Sequence, residues 1–281
     1  MNEVLVRPLR LVLLAAAGLV FLAGVQLFVF PLRTADWFAW TIGAPMTAVF
    51  LGASYFSSVV LELAGARSTR WGRARLTVWA VFVFTTLTFV VTLVHIEAFH
   101  LGPEHPTSAR LVTWLWLGNY AGVPVAMLFG LIQQARTRGV AVAEAPDVRP
   151  LRTPLRLLVG VLALVLLLSG VALLVAPAWA AGAWPWPLTD LTARAIGAWL
   201  VGLGWAAGHA WLIDDVDSVQ PLGLTGVAFV VLQGVALVRY GDVLAWSSWR
   251  AVAYLVVLAW IGLVALGILR AADAAVPARA R

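Results

Sequence analysis

Eight stretches of about twenty residues run through this chain almost without charge. In hydrocarbon a backbone N–H or C=O has no water to bond, so a run of that length closes its hydrogen bonds within itself as a spanning helix. The runs fall at about 11–30, 42–63, 76–98, 111–133, 155–176, 193–213, 221–239 and 250–270. Composition agrees: 62% of residues are hydrophobic, 11% are charged, and the mean hydropathy is +0.94. A soluble domain carries about a quarter charged residues. The predicted fold class is therefore an all-α membrane protein with about eight transmembrane helices. The longest polar gap, 134–154, is too short for a soluble domain, so any chemistry belongs in or beside the membrane.

The charges orient the chain. All nineteen basic residues are arginine. With the N-terminus in the cytoplasm, the inner segments hold Arg7 and Arg10; Arg67, Arg70, Arg73 and Arg75; Arg136, Arg138, Arg149, Arg152 and Arg156; and Arg270, Arg279 and Arg281. The outer segments keep Arg33, Arg110, Arg194, Arg239 and Arg250. This positive-inside bias places both termini in the cytoplasm, and it accounts for the pI of 10.9 without nucleic acid as a partner. The expected partners are the lipid bilayer and, beyond it, a second copy or another membrane protein. Arg7 and Arg10 ahead of the first run resemble a signal peptide, but that run is too long for a typical h-region, so it reads as an uncleaved span. The absence of cysteine excludes disulfides, iron–sulfur clusters and thiolate metal sites. Arginine in place of lysine, with abundant Ala, Gly, Val and Trp, suggests a GC-rich bacterial genome and hence a bacterial plasma membrane.

The chain also matches itself. Residues 30–44 (FPLRTADWFAWTIGA) align without a gap on 184–198 (WPWPLTDLTARAIGA), pairing Pro31 with Pro185, Asp36 with Asp190 and Ile42-Gly43-Ala44 with Ile196-Gly197-Ala198. Helices 3 and 7 align through His95 and Arg239, and helices 4 and 8 through Arg110 and Arg250. Four spans per half is an even number, which predicts parallel repeats about an axis along the membrane normal. The expected organisation is a first four-helix repeat over 1–134, a cytoplasmic linker over 135–154, a second repeat over 155–270 and a tail over 271–281. Ala44, Ala48 and Gly52, and their partners Ala198, Gly202 and Ala206, form stripes of small residues suited to close helix packing, and Gly204 and Gly208 add a GxxxG. The basic loop between helices 2 and 3 has an acidic counterpart, Asp214, Asp215 and Asp217, which reads either as a pairing that docks the halves or as solvated surface charge.

Candidate chemistry collects at the outer end. His95, Glu97, His100, Glu104 and His105 cluster after helix 3, with Glu97 and His100 on one face if the helix continues. Imidazole with carboxylate suits a divalent metal, which makes His95, Glu97, His100 and His105 the candidate ligands, or a pH sensor. The spacing matches no established metal signature, and a hydrated helix end accounts for it equally. Asp36, Asp190, Arg239 and Asp242 complete a candidate outer polar site in which His95 with Glu97 and Arg239 with Asp242 would line one outward cavity. Asp36 and Asp190 also read as helix N-caps. Trp37, Trp40, Trp179, Trp184, Trp186, Trp246 and Trp249 form an interfacial belt or the rim of an aromatic vestibule. The spans themselves read as free of charge, with neutral Gln26, Asn119 and Gln233 as their internal polar residues. No cofactor is predicted. His95 and His209 differ in depth by about 20 Å, so they cannot ligate one haem. No P-loop, GxSxG or carboxylate pair points to an enzyme.

The segments 33–48 (RTADWFAWTIGAPMTA), 92–100 (TLVHIEAFH) and 192–203 (TARAIGAWLVGL) resemble a group of eight-span membrane proteins of actinobacteria to which no reaction is attached. The resemblance implies a fold and a habitat but no catalytic residue. Three roles suit such a chain: transport or channel-like handling of a small solute or ion through the outer site, a non-catalytic scaffold in a membrane complex, or an enzyme acting on a lipid or lipophilic cofactor.

Overall fold

A computed structural model describes residues 3–137 and 148–274. Arg138, Arg279 and Arg281, with half of the predicted linker and most of the tail, lie outside the described residues. Eight helices are long and apolar enough to cross a membrane. We label them α1 (Arg7–Gly24, continued by a π-helical turn, Val25–Val29), α2 (Pro45–Arg67), α3 (Trp71–Val94) and α4 (Thr107–Arg136). The second half holds α5 (Thr153–Val175), α6 (Asp190–Ile213), α7 (Val216–Tyr240) and α8 (Trp249–Asp273). The chain is thus a polytopic membrane protein. Several helices open on proline at the first or second position, where its missing N–H would be unpaired anyway. We call the bundle's two ends arginine-rich and tryptophan-rich.

Contacts follow one scheme twice. α1 packs on α2 and α5 on α6; α3 packs on α4 and α7 on α8. The halves meet where α2 lies against α7 and α3 against α6, which makes α2 and α6 the most enclosed helices. At the arginine-rich end, the chain entering each half bonds to the first residue of that half's third helix. Trp71 N–H donates to the Glu3 carbonyl at 2.8 Å, and Val216 N–H to the Arg149 carbonyl, also at 2.8 Å.

Lipid gives helices no hydrophobic reason to associate, so backbone proximity and van der Waals contact must hold them. One such close approach joins α5 to α6. A Cβ on Gly197 would stand 2.8 Å from the Gly170 carbonyl oxygen, and one on Gly170 equally close to that of Gly197. Gly204 meets the Leu167 backbone nitrogen in the same way, at 2.9 Å. This seam lies one position round the helix from the predicted stripe; Gly202 turns instead towards Phe84 of α3, and Gly208 is loosely packed. In the first half the predicted Gly52 does serve, since a Cβ there would fall 2.5 Å from the Phe28 nitrogen.

Two expectations change. The acidic turn does not dock onto the basic loop of the other half; it captures the chain entering α5. Asp214 accepts from Arg156 at 2.6 Å and from Leu151 N–H at 3.0 Å, Asp215 accepts from Arg149 N–H at 3.1 Å, and Asp217 pairs with the Arg149 guanidinium. Asp214 takes a left-handed conformation (φ 49°), which a short polar side chain tolerates, and so lets α6 turn into α7 within two residues. Helix α3 also stops at Val94, four residues early, and a 3-10 turn (Ile96–Ala98) follows. Backbone pairing causes the stop: Phe99 bridges Trp40, and His100 N–H donates to the Ala39 carbonyl at 2.9 Å.

Gly197→Ala should lower thermal stability in detergent by about 1–3 kcal/mol, because backbone on the facing helix cannot yield. Gly118→Ala, where a Cβ meets nothing within 4 Å, should not lower it. Equal melting of the two variants would contradict the tight seam.

Candidate functional site

The outer candidates do not gather round one cavity. His95 caps the end of α3, and its Nε2 accepts from the Arg194 guanidinium at 2.8 Å, joining the two halves. Glu97 is exposed on the 3-10 turn, so it shares no helical face with His100. His100 is 2% exposed and both its ring nitrogens are occupied, Nδ1 by the Phe38 carbonyl and Nε2 by the Thr41 hydroxyl, each at 2.9 Å. It acts as a pin between the segment before α2 and the segment after α3. His105 stacks on it at 4.4 Å and pairs with Glu104. Among the described residues no group of three His, Asp or Glu side chains is placed to hold a metal ion.

The other half contributes differently again. Arg239 donates to the Phe28 carbonyl at 2.6 Å and covers the Phe28 and Tyr240 rings; it forms no pair with the exposed Asp242. Neither aspartate is an N-cap. Asp36 sits in a short helix (Thr34–Trp37) paired with Arg33, eight residues before α2 begins after Ala44. Asp190 is the first residue of α6, whose cap is Thr189 in a capping box with Thr192; there the carboxylate complements the helix dipole.

The reading of uncharged spans overlooks Glu62, which is 3% exposed within α2. A lone acidic residue inside an apolar run is the signal that would have found it. The neutral polar residues mostly satisfy backbone. Gln26 donates to the Trp37 carbonyl at 2.8 Å, and Gln233 to that of Phe50 at 3.1 Å while accepting from the Tyr254 hydroxyl.

The feature with a ligand's dimensions lies elsewhere. A cavity of about 510 Å³ opens at the tryptophan-rich end of the second half, between α5, α6, α7 and α8. Helices α5 and α8 touch near the arginine-rich end, where Gly267 lies against Leu155, and the cavity occupies the space between them further out. Leu168, Trp179 and Trp249 line it and are also exposed, so it is open towards lipid. The walls are aliphatic and aromatic. Polar groups are few: the Tyr254 hydroxyl, already bonded; the buried Trp184 indole N–H, which has no partner; Ser169; and Arg250 at the mouth. Arg250 forms no ion pair among the described residues and leans on the Trp249 ring. At its deep end the cavity shares Leu166, Leu203, Phe229 and Ile261 with a further void of about 50 Å³. Of the tryptophans expected in a belt or a vestibule, Trp179, Trp184 and Trp249 line this cavity. Its depth was not legible, because it arises from the splay of two helices.

No protein-family model, curated protein or solved structure matches this chain.

The histidines give the tryptophan-rich end a pH dependence. Burial holds both His95 and His100 below their ordinary value of 6.5, helped by Arg194 beside the first and His105 beside the second. The unfolded chain therefore takes up protons before the fold does, so stability is full above pH 6.5 and is lost as pH falls through the lower folded values. Melting temperatures recorded on descending pH should fall below that point, with a smaller fall in His95→Gln. A flat profile would contradict it.

Proposed function

We propose that this protein binds one amphiphilic, lipid-like molecule in the cavity of the second half, with the hydrocarbon portion between α5 and α8 and an anionic head at Arg250. The cavity itself carries the reading. Its volume suits a ligand site. From Trp249 to Ile261 it spans about 18 Å of helix, slightly more than half of a bilayer's hydrocarbon. Chemistry along that depth matches an amphiphile: an unpaired guanidinium and indole N–H lie where headgroups would sit, and aliphatic and aromatic walls extend below them. A small polar solute or inorganic ion would find too few polar groups in the cavity to replace its hydration. Handling of a membrane lipid or lipophilic cofactor is accordingly the role supported over passage of ions.

The proposal sets this site in a bacterial plasma membrane, arginine-rich end to the cytoplasm, in a chain built of two parallel repeats. The duplication is supported by the twofold contact scheme and by the Glu3–Trp71 and Arg149–Val216 bonds, which occupy corresponding places in the two halves. The large cavity lies in the second half, whereas Trp40, Tyr55, Phe99 and Trp116 of the first border a void of about 10 Å³, so the copies differ in the property that matters for binding.

Native mass spectrometry of protein released from lipid nanodiscs should show one bound amphiphile per chain. Ala253→Trp, which fills the mouth, should abolish it. Arg250→Gln should weaken an anionic ligand about tenfold, from loss of a charge-assisted hydrogen bond, and leave one with a neutral head unchanged. Equal occupancy in the wild type and Ala253→Trp would sink the proposal.

A further inference from the structure

Tyr55, Ser58 and Glu62 share one face of α2, because residues three, four and seven apart stack along a helix. None of them lines the lipid-sized cavity. Glu62 is buried, its Oε2 has no hydrogen-bond partner, and it joins no ion pair among the described residues. None of the charged groups described on the surrounding helices forms an ion pair with it. Arg10 of α1 donates to the Ala66 carbonyl, Asp217 of α7 is held by Arg149, and the Nε of Arg75 in α3 is itself buried without a partner. Helix α4 bears Arg110 and Arg136 near its two ends and brings the Tyr120 phenol to Tyr55.

Ser58 stands one turn before Glu62 on that face, and its hydroxyl makes no hydrogen bond to the carboxyl group. The single proton of the hydroxyl is donated to the Tyr55 carbonyl at 2.8 Å, so towards Glu62 it offers lone pairs. A carboxylate would face those lone pairs unpaired, and an uncompensated buried charge costs several kcal/mol. A carboxylic acid would donate to them. Further along the same face, the Tyr55 and Tyr120 hydroxyls lie 2.7 Å apart, with two protons for a single hydrogen bond. Tyr55 also borders a cavity of about 10 Å³, room for one water. Two other groups on its wall, Trp40 Nε1 and Thr88 Oγ1, are buried without partners. Exchangeable groups therefore run about 10 Å along α2, from Glu62 past Ser58 to the tyrosine pair, and then to that cavity.

We propose that Glu62 is a membrane-embedded proton-binding site, protonated in the resting protein, with the Tyr55–Tyr120 pair as the next station for proton exchange. Infrared spectroscopy of the full-length protein in nanodiscs tests it. The spectrum should contain a carboxylic-acid carbonyl band that is lost in Glu62→Gln, shifted in Glu62→Asp, and slower by several-fold to exchange with deuterium in Tyr55→Phe. Absence of any acid band sensitive to Glu62→Gln would overturn the assignment. If that variant does not fold, an unshifted band in Glu62→Asp overturns it equally. Unchanged deuterium exchange in Tyr55→Phe removes the tyrosine pair from the route.

Discussion

A peptide group left unpaired in hydrocarbon costs several kcal/mol, and the rest of this structure is arranged around that cost. Eight helices close their own hydrogen bonds, and the places where they cannot are few. At the end of α1 the π-helical turn leaves the Phe28 carbonyl to an outside donor, and Arg239 of α7 supplies it. At the end of α5 the Leu174 carbonyl takes the Arg194 Nε at 3.0 Å, while the other arm of that guanidinium reaches His95 of α3. Both arginines satisfy frayed backbone, and each bonds across the two halves. Residues that read as a polar site from spacing thus act as fasteners.

Packing then decides where space is left. Glycines at 52, 170, 197 and 204 bring α1 to α2 and α5 to α6 at backbone distance. Nothing comparable draws the tryptophan-rich ends of α5 and α8 together, and the lipid-sized cavity fills the gap. In the first half rings crowd the tryptophan-rich end. Trp40 packs on Phe38, Phe99 and Trp116, and Trp116 on Tyr120, with centroid separations of 4.3–5.2 Å. The first half therefore encloses a polar column, and the second holds a cavity open to lipid. The halves share a contact scheme, and they diverge in the two features to which chemistry can be assigned.

Much of the fold was readable in particular residues. Pro45 and Pro154 mark helix starts, and the apolar runs give all eight spans to within a few residues. Helix α3 was extended to residue 98 because Ile96 and Ala98 continue its apolar character; its true end depends on Phe99 and His100 pairing with residues sixty positions earlier, which no local pattern records. Asp36 and Asp190 have the composition of N-caps, yet Thr189 takes that role in α6 through a reciprocal bond with Thr192. Glu62 stands in the sequence as a single acidic letter among apolar neighbours. Its isolation from any cation became visible only once the helices around it were in place.

By itself the sequence determined that this chain spans a membrane eight times, because twenty uncharged residues have one way to satisfy their backbone in lipid. It also determined which end gathers the arginines and which the tryptophans. Only the tertiary structure decided which polar residues face each other, where two helices splay to leave a cavity, and which carboxyl group is left without a partner. Those outcomes depend on contacts between residues remote in the chain, set by glycine-sized approaches and by the rotation of each helix about its axis. A shift of one residue round a helix turns a side chain by about 100°, enough to move it from a seam to lipid.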